Sequence, residues 1–138
     1  MQFPIYNIDV SSLGNNYCLL NEIIRYDGIY ISDDEEIWRN LFLHMRFIDG
    51  KGDVYKLIDK RRIRKLWDFI FRIVRYECHF VATGERLSIE ELRQVMEKQV
   101  RNTHEKYSQE LIEGLQKAKT LTELILWETV DMKFTHSS

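Results

Sequence analysis

A chain of 138 residues with 44% apolar and 30% charged residues has the size and make-up of one globular domain. Its net charge of −2 excludes a global pull toward nucleic acid or an anionic membrane, and no apolar run reaches the roughly 18 residues of a membrane span. The start, MQFPIYNIDV, lacks the basic and apolar regions of a signal peptide, and the distant Cys18 and Cys78 read as free thiols in a reducing compartment. A cytoplasmic protein is expected.

The first 31 residues are ambiguous. FPIYNIDV and GIYIS have the β-branched and aromatic character of short strands, whereas YCLLNEIIRY reads as a helix. Further along, three capping boxes mark helix starts: Ser32 with Glu35, Ser88 with Glu91, and Thr120 with Glu123. A helix is expected from Asp33 to Phe47, with Ile37, Leu41, Met45 and Ile48 as its stripe and Trp38 and Phe42 beside it. Its first turn holds Asp33, Asp34, Glu35 and Glu36, where the helix dipole favours anions. DGKGD, Asp49–Asp53, reads as a loop.

KLIDKRRIRKLWDFIFRIVRYECHF is then expected to form a second helix, whole or in two pieces, broken by Ala82–Arg86. At 100° per residue, Arg61, Arg64, Lys65, Arg72 and Arg75 share a narrow strip, and the apolar residues span about 220° of the opposite side. Such a helix is buried, so Trp67, Ile70 and Val74 are expected at the centre of the core. Glu77 falls within the apolar arc, and the expectation is that the helix bends or ends to leave it wet.

From Ser88, the stripe Leu92, Met96, Val100, His104, Tyr107, Leu111 and Leu115 predicts one long helix or two with a kink. A short helix follows near Thr120, and the tail 129–138 frays. One proline and six glycines favour long regular elements. The expected fold is therefore a mostly α, single-domain bundle of four to six helices spanning residues 1–138. Its helical core is 32–128, and short N-terminal strands are allowed within 1–31.

Chemistry-bearing motifs are sparse. His44, His79, His104 and His136 form no metal-ligand spacing, so no metal site is expected. No phosphate-binding glycine loop is present, and no cofactor is implied. RNLFLH, Arg39 to His44, resembles the Arg-Asn-x-x-x-His signature of the HEPN family of all-helical ribonucleases. That resemblance covers six residues and implies Arg39 and His44 as catalytic groups acting on RNA at a dimer seam. Five residues apart on a helix, they stand about 140° round from one another.

Charge is segregated. Between Lys60 and Arg75, seven cations face the single carboxylate of Asp68, which leaves the rest of the chain at −8. In style, though not in any shared motif, the make-up is similar to bacterial immunity proteins, which neutralise a toxin or nuclease by covering its surface. The leading expectation is a non-enzymatic protein-binding module of this inhibitor type. Its contact residues would be Asp33, Asp34, Glu35, Glu36, Trp38, Tyr26 and Tyr30, since aromatic anchors beside charge suit a tight interface. The natural complement is a basic toxin domain. The runner-up is a ribonuclease of HEPN type using Arg39 and His44, or a nucleic-acid binder using the strip Arg61, Arg64, Lys65, Arg72 and Arg75 on phosphates. The acidic turn ranks first because a strip flanked by core-facing residues would offer a partner only cation tips.

Overall fold

The computed structural model describes residues 1–10, 24–103 and 108–127. In chain order its elements are β1 (Tyr6–Asn7), β2 (Ile29–Ile31), α1 (Glu35–Leu41), β3 (Arg46–Ile48), β4 (Asp53–Ile63), α2 (Asp68–Phe71), β5 (Arg75–Arg86), α3 (Ile89–Thr103), α4 (Ser108–Lys117) and α5 (Leu121–Ile125). The strands form one antiparallel sheet in the order β1-β3-β4-β5-β2. This overturns the expected helical bundle: a five-stranded sheet organises the chain, and the helices beside it are mostly short.

The correction centres on Asp59–Phe80. It is no central helix but most of a β-hairpin, with Arg61 opposite Glu77, Arg62 opposite Tyr76 and Ile63 opposite Arg75. In β5, half-buried Tyr76, Cys78 and Phe80 alternate with exposed Glu77, His79 and Val81, the period of two that a strand imposes. The period is harder to see in β4, where the register slips between Asp53 and Tyr55 and again between Leu57 and Asp59. Trp67 and Ile70, expected in the core, are exposed, and Val74 is only half-buried. Ala82–Arg86, expected to break a helix, is the far end of β5. Glu77 is wet, as expected, but because it lies on the outer face of a strand.

The first expected helix is shorter than Asp33–Phe47. Asp34, not Ser32, caps it: the Asp34 carboxylate accepts the N–H groups of Glu36 and Ile37, while Ser32 Oγ accepts the Asp34 N–H. The helix ends at Leu41. His44 then adopts a left-handed conformation (φ 66°) and donates its N–H to Leu57 O at 2.7 Å, which turns the chain into β3.

Other local signals hold. Ser88 and Glu91 form a reciprocal box, the Ser88 N–H donating to the Glu91 carboxylate and the Glu91 N–H to Ser88 Oγ. Thr120 caps α5 through the Glu123 N–H, while the Glu123 carboxylate takes the N–H of Lys119 instead. Leu92, Met96, Val100 and Leu115 are fully buried along α3 and α4. FPIYNIDV and GIYIS contain β1 and β2. Cys18, most of YCLLNEIIRY, His104, Tyr107, His136 and the tail 129–138 lie outside the described residues.

Two apolar clusters flank the sheet. The larger joins α3, α4 and α5 (Leu92, Met96, Val100, Ile112, Leu115, Leu124, Ile125) to Tyr6, Ile48 and Val54. The smaller joins α1 (Trp38) and Phe42 to Ile5, Tyr30, Phe47 and Leu57. Neighbours Phe47 and Ile48 fall in different clusters, as strand alternation requires when both faces are covered. Gln99 ties the larger layer to β1: its side chain accepts from Tyr6 OH at 2.6 Å and donates to Asn7 O and Val10 O. The β3–β4 turn is set by buried Asp49, whose carboxylate accepts the N–H groups of Gln2, Lys51 and Asp53.

Candidate interaction surface

The long β4–β5 pair brings the basic segment to one end of the sheet. Beyond Ile63 and Arg75 no strand pairing continues, and residues 64–74 close the hairpin through the single turn α2. This turn is held by its own bonds. The Asp68 carboxylate accepts Arg75 Nε at 3.2 Å, Arg75 Nη2 at 3.1 Å and the Lys65 N–H at 3.1 Å. Hydrogen bonding from Arg75 draws the Asp68 carboxyl below its usual pKa. Arg72 takes a left-handed conformation (φ 54°), and the Ile73 N–H donates to Asp68 O, returning the chain to β5.

A turn this well closed presents its apolar side chains outward. Leu66, Trp67, Phe69, Ile70 and Phe71 are 59–91% exposed, and none joins either apolar cluster. Among the described residues, the exposed cations Arg64, Lys65 and Arg72 that bracket them have no carboxylate partner. Exposed Arg62 lies with its guanidinium 5.7 Å from the Tyr76 ring centre. Of the expected strip, Arg61 pairs with Glu77 at 3.0 Å and Arg75 with Asp68, so the five cations do not form one line.

Lys60 is spent differently. Its side chain is 9% exposed and folds onto the inner face of β4. The ammonium lies 4.1 Å from the Tyr76 ring centre, 4.6 Å from Trp38 and 5.2 Å from Tyr30, and 2.6 Å from Glu35 Oε1. Three rings and a carboxylate thus enclose one cation.

That box consumes part of the expected acidic contact set. Tyr30 and Trp38 are buried, and burial raises the Tyr30 hydroxyl pKa. Glu35 pairs with Lys60, and Asp34 caps α1. Asp33, Glu36 and Tyr26 remain exposed with no such duty. Arg39 and His44 are both exposed, Arg39 with its Nε donating to Glu35 O at 3.3 Å and His44 beyond the helix end. The all-helical fold that the RNLFLH resemblance implied is not the fold of this chain.

Half-buried Cys78 has its thiol pushed up to about 12 by burial, which leaves it protonated and a poor nucleophile at neutral pH. Among the described residues no three His, Cys, Asp or Glu side chains are grouped to hold a metal ion, and no helix is long and apolar enough to cross a membrane. Helical spacing assigns the tip residues Leu66, Trp67, Phe69, Ile70 and Phe71 to the core, whereas they are exposed. Their visible signal is an apolar run bracketed by cations, RIRK before and RIVR after, in place of turn residues. No family model matches the chain, and the searches of curated proteins and of solved structures found no match either.

Proposed function

We propose that this chain is a non-catalytic binding module whose contact element is the tip of the β4–β5 hairpin. The observation that carries the reading is the exposure of five large apolar side chains on a turn that adds nothing to either apolar cluster. Scattered exposed apolar residues are ordinary, but a contiguous group rimmed by charge marks a contact surface. Burying such side chains against a partner gains about 1.5–3 kcal/mol each when complete. The unpaired Arg64, Lys65 and Arg72 add attraction to an anionic surface, and their field speeds encounter. The cytoplasmic location expected from the free thiols belongs to the same proposal.

A photo-crosslinking phenylalanine analogue at position 69 tests this in the source cell, against the same group at exposed Glu113 on α4. Adducts from position 69 and none from position 113 are expected. Equal labelling from both positions defeats the reading.

A second reading keeps the toxin-inhibitor class and uses the acidic turn. Its support is the exposure of Asp33 and Glu36 at the start of α1 and of Tyr26 ahead of β2, which suits a basic protein partner. Two charge-reversal variants separate the readings: Asp33→Lys with Glu36→Lys, and Arg64→Glu with Lys65→Glu and Arg72→Glu. Loss of binding in the second set alone favours the tip; loss in the first alone favours the acidic turn.

A further inference from the structure

We propose that the surface taken by the hairpin tip is an anionic lipid bilayer, an inference that rests on the tip being the contact element. Its starting point is how the apolar residues are disposed. Leu66 and Trp67 precede the single helical turn and Phe69, Ile70 and Phe71 lie on it, and all five side chains are exposed. One loose ring contact joins them, Trp67 to Phe71 at 6.4 Å between centres. This is a blunt apolar knob and not a flat stripe. A rigid partner would need a deep preformed socket to cover it, whereas the headgroup and acyl boundary of a bilayer closes around any shape.

The charge around the knob fits the same depth profile. Arg64 and Lys65 precede it and Arg72 follows it directly. An apolar element seated about 5–10 Å into the boundary would hold such flanking cations at the level of lipid phosphates. Trp67 belongs to the residue type enriched at that interface.

The anionic side is equally informative. A carboxylate at an inserting tip would be repelled by anionic lipid and costly to desolvate. The one carboxylate between Lys60 and Arg75 is Asp68, and it is withdrawn: buried, and occupied by Arg75 and the Lys65 N–H. The remaining −8 of the chain lies outside this segment. An anionic bilayer would therefore attract the tip and repel the body, which orients the molecule tip-first.

Flotation with phosphatidylcholine vesicles, plain or carrying about a third phosphatidylglycerol, tests the proposal on the whole chain. Trp38 and Trp127 are buried and Trp67 is exposed, so Trp67 is a built-in reporter. The expected result is salt-sensitive flotation with the anionic vesicles only, a blue shift of tryptophan emission, and loss of that shift in Trp67→Phe. Phe69→Asp with Ile70→Asp replaces exposed residues and should fold, as circular dichroism would verify. It should lower the bound fraction about tenfold or more. Reversing Arg64, Lys65 and Arg72, a change of two charges at each, should lower the partition coefficient by about fivefold or more per residue. Wild-type protein that stays unbound, or binding indifferent to Phe69→Asp with Ile70→Asp, overturns the bilayer. If such a chain still crosslinks through position 69 to a protein or to RNA, the tip remains the contact element and only its occupant was misjudged. If it does neither, the reading of the tip falls as well.

Discussion

Replacing Lys60 by Met removes an ammonium while keeping most of an apolar stem, so it isolates what the three-ring box contributes. The ammonium is 4.1, 4.6 and 5.2 Å from the ring centres of Tyr76, Trp38 and Tyr30, on a side chain 9% exposed. A largely desolvated cation over aromatic faces gains about 2 kcal/mol or more. The ion pair with Glu35, whose side chain is half exposed, adds about 0–1 kcal/mol. Against both stands the cost of taking the ammonium out of water, which Met avoids. The expected net loss for Lys60→Met is about 1–2 kcal/mol, a third or less of which Glu35→Gln reproduces, since the rings remain. Urea unfolding read by circular dichroism at neutral pH measures it, with the slope unchanged and the midpoint lowered. A Lys60→Met protein as stable as wild type, or more stable, would mean that desolvation outweighs the rings. The box would then be a packing compromise and not a source of stability.

The remaining predictions concern the core, the tip and one thiol. Leu92→Ala, at a fully buried position, should cost about 2–5 kcal/mol in the same assay, whereas Ile70→Ala at the exposed tip should stay within about 0.5 kcal/mol of wild type. With Cys18 replaced by Ser, Cys78 should resist a thiol reagent at neutral pH until the chain is unfolded, because burial keeps its thiol protonated; rapid labelling of the folded protein contradicts this. Asp68 has a lowered carboxyl pKa, so its contribution to stability is present above the unfolded value of about 3.9 and fades as pH falls through the lower folded value. The stability gap between wild type and Asp68→Asn should accordingly be present at pH 7 and close in strong acid; a gap independent of pH refutes the assignment.

How far the fold was legible depended on whether a local signal had a competitor. At Ser88 the capping box and the stripe of Leu92, Met96 and Val100, spaced four apart, agree, and α3 follows them. At Ser32 the box pattern was present, but Asp34 was a better cap two residues on, and the strand-bound turn at His44 cut the helix short. The large error lay in Asp59–Phe80. Placed on a helical wheel, two strands joined by an apolar turn scatter their inward residues and their tip residues around one side. The resulting 220° arc passed for deep burial. The period of two was visible in Tyr76, Cys78 and Phe80, yet β4 hid it behind the slip at Leu57 and Asp59. An unusually wide apolar arc containing Glu77 is itself a reason to try the other period.

The same feature governs the choice of surface. Helical spacing turns the aromatics beside the cations toward the core, which favours the acidic turn as a contact surface. In the hairpin Trp67, Phe69 and Phe71 are exposed, and the seven cations of Lys60–Arg75 divide by role. Lys60 is enclosed by rings and Glu35, Arg61 pairs with Glu77, and Arg75 locks Asp68. Exposed Arg62 lies against the Tyr76 ring on the stem. Arg64, Lys65 and Arg72 are left without a carboxylate among the described residues, at the turn that carries Leu66, Trp67, Phe69, Ile70 and Phe71. A charge excess spread over sixteen residues of sequence therefore becomes three unpaired cations around one apolar knob. Internal pairing engages Lys60, Arg61 and Arg75 and spares Arg64, Lys65 and Arg72, so unpaired positive charge lies where the apolar surface is also exposed. A partner approaching there meets charge attraction and apolar burial at one place, which the acidic turn, with Trp38 and Tyr30 turned inward, does not offer.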